Sequence, residues 1–181
     1  MKKNKMIFIT MVICALFSCE TKNFYELDLS VVKSDDKNLT IEITTNLPNK
    51  STILLTVDRE FQQEDDEEMY SGTIFEKDFE IVNGNLKITI PIEDVTWYKD
   101  YQKNLEEWEE VDDFFKPITY ISDSIEISAL FSPRRQADKG VLQKVGKNGE
   151  NLAVEETDRS KQRGFKALDK DTILHIPFKL K

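Results

Sequence analysis

The side chain of this 181-residue sequence best placed to react is the thiol of Cys19, directly after Leu16, Phe17 and Ser18. Its one companion, Cys14, sits inside an apolar run. His175 is the sole histidine, and a catalytic imidazole needs an orienting carboxylate and a nearby nucleophile. No motif supplies either, so it reads as a surface residue on the polar side of its segment. Two acidic runs, Glu64-Asp65-Asp66-Glu67-Glu68 and the set Glu106, Glu107, Glu109, Glu110, Asp112 and Asp113, offer oxygen ligands to a hard cation such as Ca²⁺. They lack the spaced acids and turn glycine of an EF-hand loop. The first reads as a solvated loop and the second as the wet face of a helix.

Aromatic side chains concentrate at Trp97, Tyr98, Tyr101, Trp108, Phe114, Phe115 and Tyr120, seven within 24 residues. Rings among carboxylates suit a carbohydrate or protein ligand, with faces for stacking and acids for hydrogen bonds. Trp97, Tyr101, Leu105 and Trp108 also share one face at helical spacing, which favours packing onto a sheet. Tyr98 points elsewhere, and Tyr98, Trp97 and Trp108 are the candidate binding residues. There is no Gly-rich phosphate loop, His-Glu-x-x-His helix or Gly-x-Ser-x-Gly elbow. No cofactor, metal or catalytic residue is expected. Paired carboxylates able to hydrolyse a glycosidic bond carry no local signature, so that chemistry stays open.

Around Cys19 the residues fall in a telling order. Lys2, Lys3 and Lys5 precede the uncharged run Met6 to Phe17, and Ser18 is small. A positive start, an apolar middle and a small residue before the cut describe an export signal. The run of 12 residues falls short of the roughly 20 that a membrane-crossing helix requires. Leu16, Ser18 and Cys19 resemble the bacterial lipobox, with Phe17 bulkier than is usual there. That resemblance implies cleavage between Ser18 and Cys19 and a thioether-linked diacylglyceryl cysteine carrying fatty acyl chains such as palmitate. Two chains hold stably, at about 0.8 kcal/mol per buried CH₂. The expected location is the cell membrane or outer membrane, on an extracytoplasmic face. With Cys14 removed and Cys19 acylated, the mature chain would keep no free thiol.

Three of the 25 basic side chains belong to the leader, leaving 22 against 34 acids, a net charge of −12. Nucleic acid and anionic headgroups are therefore disfavoured partners. Charge is also uneven, with 19 acids and 5 bases over Asp58 to Asp113 and 6 acids and 10 bases over Ser132 to Lys170. The basic stretch, from Arg134 and Arg135 through Lys139, Lys144 and Lys147 to Arg159, Lys161, Arg163 and Lys166, has only Phe165 as an aromatic neighbour, unlike base-stacking surfaces.

These side chains must be positioned mostly by strands. Residues 1–18 form the leader, 19–23 the lipidated cysteine and a four-residue tether, Glu20 to Asn23, reaching roughly 13 Å, and 24–181 one domain. Period-two alternation marks Phe24 to Val31, Asn38 to Asn46, Thr52 to Arg59, Tyr120 to Phe131 with slippage near Asp123, and Thr172 to Lys181 with Pro177 at an edge. Asp78 to Ile90 predicts a hairpin about Asn83-Gly84, since both turn residues tolerate positive φ. Asp94 to Pro117 predicts a short inserted helix with Asp94 at its start. Gln136 to Gly146 predicts another, with Val141, Leu142 and Val145 inward and Gly146 as its stop, followed over Lys147 to Lys170 by a long loop or a weakly paired edge hairpin. Some seven short strands imply an all-β, immunoglobulin-like sandwich with a helical insertion, a small β-barrel being the alternative.

The fragments Thr45-Asn46-Leu47-Pro48, Ile81-Val82-Asn83-Gly84-Asn85-Leu86 and Gly149-Glu150-Asn151-Leu152 are similar to those of uncharacterised secreted bacterial sandwich proteins, a resemblance that transfers no catalytic residue. The expected role is a membrane-anchored binding module for a protein or carbohydrate ligand. A cell-envelope carbohydrate hydrolase and a structural envelope component are the alternatives.

Overall fold

Alternating side chains build two antiparallel sheets, and the parity of each strand decides which face is buried. The structure is a computed structural model, and it describes residues 24–33, 37–92, 94–108, 115–153 and 164–179. The leader, Ser18, Cys19 and the tether to residue 23 lie outside the described residues. So do the stretches 109–114 and 154–163 and the side chains of Asp94 and Trp108.

The strands are β1 (Leu27–Lys33), β2 (Asn38–Thr45), β3 (Thr52–Gln63), β4 (Met69–Glu80), β5 (Asn85–Pro91), β6 (Ile118–Phe131) and β7 (Leu168–His175). Helix α1 (Asp94–Trp108) connects β5 to β6. After β6, a 3₁₀ turn (Pro133–Arg135) and helix α2 (Lys139–Val145) precede β7. One sheet has the order β1-β2-β5 and the other β4-β3-β6-β7. Two open sheets rule out the closed barrel. Between them lies a core of Leu39, Ile41 and Ile43 from β2, Ile53, Leu55 and Val57 from β3, and Ile125, Ile127, Ala129 and Phe131 from β6. Each large aliphatic side chain so buried contributes about 1.5–3 kcal/mol.

The sheets differ in length. β3 and β4 have 12 residues and β6 has 14, against 7, 8 and 7 in β1, β2 and β5. At about 3.3 Å per residue, the long strands overhang the short sheet by several residues, and α1 covers the exposed inner face. A second apolar cluster forms there around Phe61, Trp97 and Tyr101. Arg59, between Val57 and Phe61 on the same parity, marks the junction of the two clusters and is fully buried, at 0% exposure. Its guanidinium donates to the carbonyls of Ser122 and Ser124 in β6 and, at 2.8 Å, to that of Ile176 beyond β7. The register of β6 against β3 shifts opposite this point, between Arg59 and Phe61, so the slippage expected near Asp123 is a β-bulge.

The expected hairpin over Asp78 to Ile90 needs correction. Its turn forms as read, with φ of 55° at Asn83 and 74° at Gly84. The flanking strands, however, belong to different sheets and share a single bridge, Val82 to Asn85. On the incoming side the Ile81 N–H donates to the Ser51 carbonyl at 2.8 Å, holding the chain to the start of β3. On the outgoing side the Thr45 N–H donates to the Gly84 carbonyl at 2.9 Å, and β5 pairs with β2. The turn is an arch between layers.

Other bounds shift too. β3 runs on to Gln63, β4 begins already at Met69 and β6 at Ile118, and the terminal strand read over Thr172 to Lys181 is corrected to the edge strand β7, Leu168–His175, which leaves Ile176, Pro177 and Phe178 past its end. Helix α2 is capped by Asp138, whose carboxylate accepts from the N–H groups of Gly140 and Val141 at 2.7 and 3.1 Å. It stops at Gly146, where φ is 85°. Val141 and Val145 are buried, and Leu142 is half-buried. Among the described residues no helix is long and apolar enough to cross a membrane.

Candidate functional site

Outward-facing residues of the three-stranded sheet form a polar cleft where the chain enters the domain. On β1 and its approach, parity separates Tyr25 and Leu27, which pack inward, from Phe24, Glu26 and Asp28, which point out. Register then sets Asp28 beside Thr44, and Thr44 beside Asn85. The arch turn brings Asn83 and Gly84 to the same end. The cleft has a volume of about 310 Å³ and is lined by Glu26, Asp28, Thr44, Thr45, Asn46, Asn83, Gly84 and Asn85. Phe24, 66% exposed, is not among the lining residues, though its carbonyl accepts from Asn46, which is.

Some of these groups are committed to building the site. The Asn46 amide replaces a ladder residue, accepting from the Glu26 N–H at 2.8 Å and donating to the Phe24 carbonyl at 3.1 Å. The Thr45 hydroxyl donates to the Glu26 carbonyl and accepts from the Leu47 N–H. Asn85 steadies the turn by donating to the Asn83 carbonyl at 2.9 Å. What remains is chemically coherent. The carboxylates of Glu26 and Asp28, the Thr44 hydroxyl and the Asn83 side-chain amide have no hydrogen-bond or ionic partner among the described residues. None of the lining residues is cationic.

The aromatic segment is arranged otherwise. Trp97 is 8% exposed and stacks on Phe61 at 5.3 Å, and Tyr101 meets Phe61 edge-on at 5.1 Å. The Tyr101 hydroxyl donates to the Lys116 carbonyl at 2.6 Å, and burial pushes its phenol pKa up. Tyr98 is half-buried, its ring 5.9 Å from Trp97 and 5.6 Å from Phe178. Trp97 and Tyr98 thus sit together in the helix-capped cluster, at the opposite end of the sandwich from the cleft. Trp108 ends α1.

The acidic run at 64–68 is the tip of the β3–β4 hairpin. There the Asp66 carboxylate accepts from the Tyr70 hydroxyl at 2.5 Å and from the Glu68 N–H at 2.8 Å. These bonds hold its pKa below the ordinary carboxylate value, the tyrosine first, and the same contact pushes the Tyr70 phenol up to about 12. His175 is exposed opposite Ser124 on the outer face. Of the basic residues, Arg135 forks onto Asp78 at 2.9 and 3.1 Å, and the Arg134 guanidinium lies 4.4 Å from the Phe165 ring centre.

Sequence reasoning missed the cleft. Glu26 and Asp28 were visible only as the polar parity of a strand, and Asn83 only as a turn residue. Pairing of β5 with β2, which brings the two together, has no local signal. No protein-family model, curated protein or solved structure matches the chain.

Proposed function

We propose that this protein is a lipid-anchored, extracytoplasmic binding module that takes its ligand in the cleft on the three-stranded sheet. The observation that carries the binding reading is the placement of Glu26 and Asp28. They stand two residues apart on one outward parity, about 6.6 Å along the strand, and so point the same way from the sheet surface. Carboxylates arranged like this both accept hydrogen bonds from a ligand laid across the sheet. Glycosidases instead set two carboxylates on either side of the scissile bond, which makes the hydrolase alternative the weaker one.

Anchoring rests on the leader and on Cys19, which stands five residues before Phe24, whose carbonyl accepts from the cleft residue Asn46. Five residues span about 17 Å when extended, so the cleft belongs to the membrane-facing end and the aromatic cap to the far end. We also read the sandwich as immunoglobulin-like. Lettered in chain order from A to G, its sheets are A-B-E and D-C-F-G, against A-B-E-D and C-F-G in the constant-type domain. The fourth strand has moved to the other sheet, and this leaves β5 an edge.

Fractionation tests the anchor. In the exporting bacterium the wild-type chain should sediment with membranes and incorporate labelled fatty acid. Cys19→Ala should lose the label and either leave the membrane fraction or keep its leader. Unchanged processing and membrane retention of the variant would sink the lipoprotein reading.

A further inference from the structure

We infer that Asn83 is a site of spontaneous covalent modification, losing its side-chain amide to the backbone nitrogen of Gly84, while the fold protects the second Asn-Gly pair, Asn148-Gly149. The inference stands apart from the binding-module reading. The step is an intramolecular substitution. The Gly84 N–H gives its proton to water or hydroxide, its nitrogen attacks the Asn83 Cγ, and the bond from Cγ to the amide nitrogen breaks, releasing ammonia. The five-membered imide then takes up water at either carbonyl. It opens to aspartate or to isoaspartate, in which the main chain runs through the side chain. One water is consumed, and no group is oxidised or reduced.

This chemistry requires an unengaged amide, an unengaged glycine N–H and freedom of the peptide between them to turn. Asn83 meets all three. It is exposed, and neither its side-chain amide nor the Gly84 N–H has a hydrogen-bond partner among the described residues. The φ values of 55° and 74° at the two residues are the type I′ arrangement. Flipping the peptide between them gives a type II′ turn, in which the first central residue keeps its positive φ and its ψ goes to about −120°. There the Asn83 Cβ and the Gly84 nitrogen eclipse each other across the Cα–C bond, which is the geometry of the ring. Glycine accepts the accompanying change of φ without a Cβ penalty. Among the described residues, the flipping peptide is held only at its carbonyl, which accepts from the exposed Asn85 side chain at 2.9 Å. The bonds of the Asn83 N–H to Asn49 and of the Gly84 carbonyl to Thr45 belong to the neighbouring peptides.

Asn148 has the same glycine neighbour and none of the freedom. Its side-chain amide donates to Glu150 Oε1 at 3.1 Å. Backbone groups pin its peptide with Gly149 on both sides: the N–H donates to the Gly146 carbonyl at 3.2 Å, and the carbonyl accepts from the Lys166 N–H at 2.8 Å. Gly149 is also buried. The product at Asn83 matters because of its place. A new carboxylate joins Glu26 and Asp28 in a cleft whose lining holds no cation. Isoaspartate also lengthens the main chain of the arch by one carbon, beside the Thr45 to Gly84 bond that begins the pairing of β5 with β2.

The test incubates the full-length chain in mildly alkaline buffer, folded and in concentrated urea. Both sites are followed by mass spectrometry after pepsin digestion at low pH, which halts the chemistry. Folding should slow conversion at Asn148 at least tenfold more than at Asn83, and Asn83 should yield both aspartate and isoaspartate. Asn85→Ala, which removes the bond on the flipping carbonyl, should at least double the rate at Asn83 and leave Asn148 unchanged. Folding that slows both sites alike would overturn the inference, as would an Asn83 that converts in urea but not in the folded chain. A folded Asn85→Ala protein converting at the wild-type rate would overturn the peptide flip as the route. An unfolded variant would betray itself by converting Asn148 at the urea rate, and the wild-type comparison then decides alone.

Discussion

Tyr70 and Asp66 form the contact whose chemistry can be followed one residue at a time. Both sit at the exposed hairpin tip, where screening by water keeps such a bond modest. Its effect on titration is still directional. Asp66 binds its proton less readily folded than unfolded, so its contribution to stability is present above the ordinary value of 3.8 and is lost as pH falls through the lowered one. Tyr70 works in the opposite sense. Its phenol holds the proton more tightly when folded, so its contribution is present below pH 10 and is lost as pH rises through about 12. Tyr70→Phe removes the shared hydrogen bond while keeping the ring near Phe61. In that variant the Asp66 carboxyl, followed by carbon NMR, should titrate at higher pH than in the wild type. An unmoved midpoint would show that the Glu68 N–H alone depresses it. The sequence displayed Asp66 only as one of five acids in a row, because its distinction depends on which of them the β3–β4 turn brings back onto Tyr70.

At the scale of elements, α1 and β4 illustrate what spacing conveys and what it omits. The intervals among Trp97, Tyr101 and Leu105 identify a helix and its buried face, and the structure places Trp97 and Tyr101 in an apolar cluster. Nothing in those intervals says what receives them. The receiving surface is Gly72 on β4, where a Cβ would lie 2.3 Å from the Trp97 ring. The glycine is needed for the flat approach of the indole to the strand backbone. Gly72→Ala should therefore destabilise the fold by about 1–3 kcal/mol through overpacking. The measurement is urea unfolding, with Trp97 fluorescence reporting the displaced ring, and a variant as stable as the wild type would show that the helix slides away without cost. The arch at Asn83-Gly84 carries the same lesson. Turn chemistry fixes two backbone angles, whereas the partner of the outgoing strand is chosen by long-range hydrogen bonds to β2. A strand pattern read in isolation assigns β5 to the nearest strand in sequence.

Across the whole molecule, the acidic mid-chain visible in the composition becomes a surface. Pairing registers align Asp58 and Glu60 of β3, Glu76, Asp78 and Glu80 of β4, Glu126 of β6, and Asp169 and Asp171 of β7 on the outer face of the four-stranded sheet. Arg135 neutralises Asp78 from the 3₁₀ turn. Asp58 stands directly opposite Glu126 on the neighbouring strand, an arrangement of like charges that weakens a sheet. Composition announces the excess charge, and only the register reveals which charges meet. Asp58→Asn keeps an acceptor for the Thr73 hydroxyl, which donates to Asp58 at 2.8 Å, and removes the charge facing Glu126. It should stabilise the protein by about 0.2–1 kcal/mol at low salt. That gain should shrink in 1 M salt, where the screening length falls to about 3 Å from about 30 Å at 0.01 M. Asp78→Asn is the opposing control. It also removes one negative charge from this face, yet it breaks the fork with Arg135 and should not stabilise. Urea unfolding of both variants at the two ionic strengths separates local repulsion from net charge. Equal gains from both would mean that only the total charge matters, and a gain for Asp58→Asn that survives in 1 M salt would rule out electrostatics as its cause.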